Sequence, residues 1–328
     1  MSGFQGVKMF LNIMVPIDGS SFSREGVLQG LRIAGKNGGV LRLVRVARSP
    51  LMVGSPEAIS FETMGFNELH AAELSDLYEI AAECRAHSSV TVKTSLEHGP
   101  ICDALSGYAR RNKVDLIVMR SHARTGIARA WFGSVADGMI RETGIPVLVV
   151  RAPSLATGLE SGYCVKRILV PLDGSGLAER SLAPAVAMAR LEGAAITLLR
   201  VVQPWVGPKS GELASSLGPA SDHDVTEAQS YLDALTQKLE STGIRAESHV
   251  LIDSNIPQSI LNTAEARESD LIVIATHGRG AVARARIGSV ADRVMREATI
   301  SAMVIRPLTP VTSARIDATE VAVVAPSE

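Results

Sequence analysis

The chain repeats itself once, in a fixed register. Residues 116–135 read LIVMRSHARTGIARAWFGSV and residues 271–290 read LIVIATHGRGAVARARIGSV. His122 and His277 are 155 positions apart, as are Gly133 and Gly288. The same offset relates Pro16 to Pro171, Asp18 to Asp173, Gly19 to Gly174, Ser20 to Ser175, Val46 to Val201, Asp115 to Asp270 and Arg151 to Arg306. A constant offset over roughly 135 residues leaves no net change in loop length, so one duplication produced two whole domains. A solenoid would repeat every ~20–50 residues instead. The 328 residues agree with two domains of about 150 residues, each long enough to bury its own core. We place the domains at 1–152 and 164–307, a linker at 153–163, and a tail at 308–328 that reads either as disorder or as an added edge strand.

Apolar runs and helical spacing alternate within each half. Leu271 to Ile274 is a continuous, β-branched-rich run, the pattern of a strand buried on both faces. Further strands are predicted at 11–17, 40–46, 90–96, 115–119 and 146–150, and helices at 23–36, 67–87, 100–111 and after Gly133. Asn37-Gly38-Gly39 reads as the C-cap of the first helix. Pro50, Gly54, Pro56 and Gly65 make 47–66 a long surface loop. The second half repeats this order, with strands at 167–172, 195–202, 245–252, 270–275 and 301–306, helices at 178–191, 224–242, 256–268 and 288–298, and a loop at 203–223. Alternating strands and helices predict an α/β fold: two tandem doubly wound domains, each a five-stranded parallel sheet with helices on both faces.

In such a sheet, ligands sit beyond the carboxyl ends of the strands, where the strand order reverses. Each half puts two motifs at such ends: Asp-Gly-Ser after the first strand and a small-residue loop after the fourth. Glycines let backbone N–H groups approach a phosphate, and a helix start adds unpaired donors and a favourable dipole. Between Thr276 and Ala291 stand Arg279, Arg284 and Arg286 and no acid, so the local field favours a polyanion. If strands one and four are neighbours, Asp173 faces the 275–289 loop across a crevice. It would then accept hydrogen bonds from a base amine or a sugar hydroxyl while the loop holds phosphates. Taken alone, Asp-Gly-Ser is equally a capped strand-to-helix turn. His122 and His277 read as loop-orienting. Trp131 and Phe132 suggest either local packing or an interdomain or dimer contact.

A formal net charge of −1 argues against a nucleic-acid partner. The apolar run near the N-terminus is too short for a signal peptide or a membrane span. Cys84, Cys102 and Cys164 lack C-x-x-C spacing, which fits a reducing cytoplasm. There is no P-loop lysine motif, no zinc-deaminase signature and no G-x-S-x-G elbow, so nothing specifies a chemical step.

These residues resemble the universal stress protein family in its tandem form. The second half shows ILVPLDGS (168–175), LLRVV (198–202) and LIVIATHGRG (271–280) leading to IGSVADRVM (287–295). The first half shows IMVPIDGS (13–20), LVRVA (43–47) and MRSHARTG (119–126) leading to FGSVADGM (132–139). The resemblance implies a strand order 3-2-1-4-5 in each domain, ATP with accompanying Mg as ligand, and a regulatory stress response without efficient catalysis. It also implies a homodimer formed through the fifth strand and a regulatory protein partner of unknown identity. ATP-binding members carry Gly, two residues, Gly, nine residues, Gly, then Ser or Thr. These positions fall on Ala275, Gly278, Gly288 and Ser289. By the same resemblance, Asp173 and the backbone at Val201 flank adenine. Gly278, Gly288, Ser289 and Val290 hold phosphates, with His277 and Arg279 in the same loop. In the first half Asp18, Val46, Gly133 and Ser134 are the counterparts, but Arg120 and Ala123 replace the first two glycines. Arg120 either fills the cleft or supplies a fixed cation there, so nucleotide is expected mainly in the second domain. Two other readings compete: an interaction module with relic sites, and a slow ATPase. The ATPase would need a metal-holding carboxylate, for which Asp173 is the candidate.

Overall fold

The computed structural model describes residues 8–47, 56–120, 133–151, 164–204, 222–276 and 288–306. The linker, the tail and most of the 203–223 loop lie outside these residues. The first half runs β1 (Asn12–Ile17), α1 (Ser21–Asn37), β2 (Val40–Ala47), α2 (Pro56–His87), β3 (Thr91–His98), α3 (Ile101–Arg111), β4 (Leu116–Arg120), α4 (Ser134–Thr143) and β5 (Val147–Val150). The second runs β6 (Arg167–Pro171), a 3-10 turn (Ala178–Ser181), α5 (Leu182–Glu192), β7 (Ala195–Val202), α6 (Asp222–Glu240), β8 (Ala246–Ile252), α7 (Ile256–Ala266), β9 (Leu271–Ala275), α8 (Ser289–Glu297) and β10 (Ser301–Ile305).

Two elements differ from the sequence reading. The segment read as a loop over 47–66 is helical from Pro56 onward. Proline is a helix starter as well as a breaker, because at the first helical position its missing N–H has no partner to lose. The helix read as 178–191 starts instead as the 3-10 turn, and α5 begins at Leu182. Pro184 has no N–H to give the Arg180 carbonyl, which removes the α-helical bond at that point. The cap after α1 is as read: Gly38 sits in the left-handed region at φ 67° and donates to the Ala34 carbonyl.

The strand order is β3-β2-β1-β4-β5-β10-β9-β6-β7-β8, so each half has the order 3-2-1-4-5. All neighbours are parallel except β5 and β10, which pair antiparallel with Val149 opposite Ala302. The halves thus share one ten-stranded sheet, and their strand carboxyl ends point to opposite edges. The fifth-strand edge is consumed within the chain. Both seam strands are buried along their whole length, as continuous apolar runs require.

Alternating side chains divide the core into two layers, one on each face, and both layers pass through both halves. Leu148, Val150, Met303 and Ile305 belong to the layer covered by α1, α2, α5 and α6. Val147, Val149, Ala302 and Val304 belong to the layer covered by α3, α4, α7 and α8. Polar contacts also cross the junction. The side chain of Glu192 is fully buried, and it accepts from Arg32 at 2.6 and 2.7 Å and from Lys36 at 2.7 Å. Arg151 reaches the Met295 and Ala298 carbonyls at the end of α8, where a cation is favoured. Arg32→Ala should cost about 2 kcal/mol, because Glu192 then keeps Lys36 alone. The thermal unfolding midpoint measures this, and an unchanged midpoint would deny the contact.

Asp115 and Asp270 owe their repetition to one structural task. Asp115 accepts from the Leu11 and Asn12 N–H groups at 2.8 Å each. Asp270 accepts from the Lys166 and Arg167 N–H groups at 2.7 and 2.8 Å. Each fixes the start of a first strand beside a fourth. Among the described residues no helix is long and apolar enough to cross a membrane. All three cysteines are free, and burial pushes the Cys84 thiol up to about 11.

Candidate functional site

Strands one and four are neighbours in both halves: Ile13 pairs with Leu116, and Ile168 with Leu271. The two motifs of each half therefore meet at one edge of the sheet. In the first half Asp18 and the described flanks of the loop, Arg120 and Gly133, line a cavity of about 380 Å³, beyond the carboxyl ends of β1, β2 and β4 and against the start of α4. Asp18, Val46, Gly133 and Ser134 all line it. In the second half Asp173 follows β6, Val201 lies near the end of β7, Ala275 ends β9, and Gly288, Ser289 and Val290 open α8. His277, Gly278 and Arg279 lie outside the described residues. So do His122, Ala123, Trp131, Phe132, Arg284 and Arg286.

Both Asp-Gly-Ser motifs serve as turns. Asp18 Oδ1 accepts from the Ser20 N–H at 2.9 Å and the Ser20 hydroxyl at 2.6 Å. Asp173 Oδ1 accepts from the Ser175 N–H at 2.9 Å. Between them, Gly19 and Gly174 adopt φ 81° and 80°, which only glycine reaches without strain. The turn and ligand roles are compatible, because the turn holds each aspartate at its strand's carboxyl end.

The helix starts also match. Gly133 and Gly288 precede α4 and α8 with φ −60° and −58°, and neither offers a side-chain cap. The first intrahelical bonds run from the Asp137 and Asp292 N–H groups to Gly133 and Gly288. Earlier N–H groups in each helix have no intrahelical acceptor, which suits an anion. A Cβ built on Gly133 would meet nothing within 4 Å. In the second half Gly288 donates to the Thr276 carbonyl at 2.7 Å, and Thr276 donates to Ile305 at 2.9 Å. Thr276 and Gly288, the described residues on either side of 277–287, are therefore joined directly.

The ionic groups are where the halves diverge. Arg120 lines the first cavity with its side chain 14% exposed, and it pairs with Glu25 of α1. It is a cation at the cleft, as one of the two sequence alternatives had it, but a matched one. Arg45 pairs with Asp76 at 2.7 Å and Glu73 at 3.6 Å, both from α2. In the second half Arg200 lies 5.5 Å from the centroid of the Tyr231 ring. The Tyr231 hydroxyl donates to Glu179 at 3.1 Å, and burial together with that carboxylate pushes the phenol far above its ordinary range. Sequence reasoning missed Glu25, Arg45, Glu73 and Asp76. The repeat itself held a signal, since these positions align with Arg180, Arg200, Ala228 and Tyr231.

A family model described as the universal stress protein family matches residues 9–151 and 165–306. A universal stress protein of Mycolicibacterium smegmatis is 24% identical over 300 residues, spanning 90% of this chain and 97% of the relative. One from Methanocaldococcus jannaschii is 29% identical over 148 residues, 45% of this chain and 86% of the relative. The crystal structure of a universal stress protein from Archaeoglobus fulgidus shares the fold, with a TM-score of 0.64 and 19% identity, covering 91% of this chain and 97% of that chain.

Proposed function

The chain belongs to the universal stress protein family, and from that premise we propose that it is a cytoplasmic stress-response regulator that binds ATP, with accompanying Mg, in its second domain. The observation that carries this reading is the convergence of Asp173, Val201, Ala275 and the uncapped α8 start at one sheet edge, with the loop ends joined between Thr276 and Gly288. The three loop arginines add the sign of charge that a triphosphate requires. Efficient catalysis is not part of the proposal. Asp173 is the carboxylate that a metal-assisted step would use, and no catalytic motif of the sequence accompanies it. The regulatory step is a shift in equilibrium toward the state that binds ATP more tightly, read by a protein partner. A homodimer of this chain would use a surface other than the fifth strand, because β5 and β10 pair with each other.

Calorimetric titration of nucleotide-stripped protein with Mg-ATP tests the reading. One molecule should bind per chain, and Gly288→Leu should weaken binding at least about tenfold with the unfolding midpoint unchanged, since it places a side chain where phosphates approach the helix start. Unaltered affinity in the variant would sink the site. Absence of heat, with no nucleotide released from the protein as purified, would sink the function.

A further inference from the structure

The two crevices share a scaffold but not a charge. Around the first stand four carboxylates, Asp18, Glu25, Glu73 and Asp76, and two guanidiniums, Arg45 and Arg120. The residues 155 positions on are Asp173, Arg180, Ala228, Tyr231, Arg200 and Ala275, and Glu179 joins them through the Tyr231 hydroxyl: two carboxylates and two guanidiniums. Both guanidiniums of the first crevice are already matched, Arg120 by Glu25 and Arg45 by Asp76 and Glu73. Among the described residues, little positive charge remains there to neutralise a phosphate chain; Arg124 and Arg129 lie outside them.

One polar atom left over on its wall is an acceptor. Glu73 lines the cavity with its side chain only 6% exposed. Its Oε1 lies 3.6 Å from Arg45, and its Oε2 has no hydrogen-bond partner among the described residues. An ionised carboxylate only accepts, and a buried oxygen without a donor is costly to keep. The group that fits it is an N–H donor, and a charged one is favoured by the surplus of carboxylates. Much of the remaining wall is apolar, with Val15, Val44, Leu105 and Met119 among its residues. The N–H groups at the start of α4 serve an oxygen acceptor at the other end of the ligand.

We propose that the first crevice binds a small organic amine with an apolar body, its protonated nitrogen donating to Glu73 Oε2, and that it does not bind ATP. The site is separate from the proposed nucleotide site, because the strand carboxyl ends of the two halves face opposite edges of the sheet.

Three probes of one shape test this in the full-length protein by calorimetry and ligand-observed NMR: tyramine, 4-ethylphenol and 3-(4-hydroxyphenyl)propionate. They share the ring and hydroxyl and differ in carrying an ammonium, nothing or a carboxylate. Tyramine should bind once per chain, at least about tenfold more tightly than 4-ethylphenol, and the propionate should not bind. Glu73→Gln should weaken tyramine by about tenfold or more. Gly133→Leu, at a position with open space around its Cβ, should block tyramine while leaving the unfolding midpoint in place, which guards against a folding defect in the Glu73 variant. Saturating Mg-ATP should leave the tyramine affinity unchanged, and the tyramine result stands even if the chain binds no ATP. Failure of tyramine to bind, equal binding of the propionate, or indifference to both substitutions would overturn the proposal. So would tyramine displacement from the second domain by ATP.

Discussion

Val149→Asp is expected to lower the stability of the protein by roughly 4 kcal/mol or more. Val149 is fully buried in the middle of β5, opposite Ala302 on one side and Met119 on the other. Its side chain belongs to the layer that runs from Ile117 and Ile140 through Val304 into Ile272 and Ile274. A carboxylate there loses the valine burial, worth about 1.5–3 kcal/mol, and enters a layer of apolar side chains without a partner. Removing atoms without adding charge, as Val149→Ala, should cost about 2 kcal/mol. Urea unfolding separates the two values through the transition midpoint. The seam adds a second expectation. Because both core layers cross it, the wild-type halves should unfold in one transition. An unchanged midpoint in Val149→Asp would mean that β5 and β10 are not buried against each other in solution.

The seam also marks where sequence and structure part. The runs Val147–Val150 and Ser301–Ile305 announce buried strands by their apolar content. Their antiparallel pairing is made by backbone groups, which every residue carries, so it leaves no side-chain signature. The family resemblance pointed to the fifth strand as a pairing edge, and that pairing occurs within one chain rather than between two. The early part of α2 was obscured for another reason. Pro56 and Gly65 count as breakers on average, whereas position in the helix decides what a proline does. At the site, Asp18, Gly133 and their second-half counterparts were legible because the repeat fixes them and the topology gives them one edge. Glu25, Glu73 and Asp76 were not, because each bond joins a helix to a distant strand. Such bonds come into being only when α1 and α2 pack over the β1, β2 and β4 ends.

Exchanging three residues of the first crevice for their second-half counterparts, as Glu25→Arg, Glu73→Ala and Arg120→Ala in one chain, is expected to raise the number of bound Mg-ATP molecules from one to two. The change removes two carboxylates and one guanidinium and adds one guanidinium, a net shift of two positive charges. At an effective dielectric of about 20, one unit charge some 7 Å from a phosphate contributes roughly 2 kcal/mol before salt screening. Two such charges, discounted for screening at a partly open cleft, should raise affinity on the order of 100-fold. Arg120→Ala alone is expected to fail. Glu25 would then lose its partner and face the incoming phosphates unneutralised. That single variant decides what Arg120 does. If it opens a second site by itself, the side chain blocked the crevice by bulk and the charge argument is wrong. If only the triple variant does so, and its gain shrinks as salt rises, the two halves of this duplicated chain are set apart by the sign of charge around a common crevice.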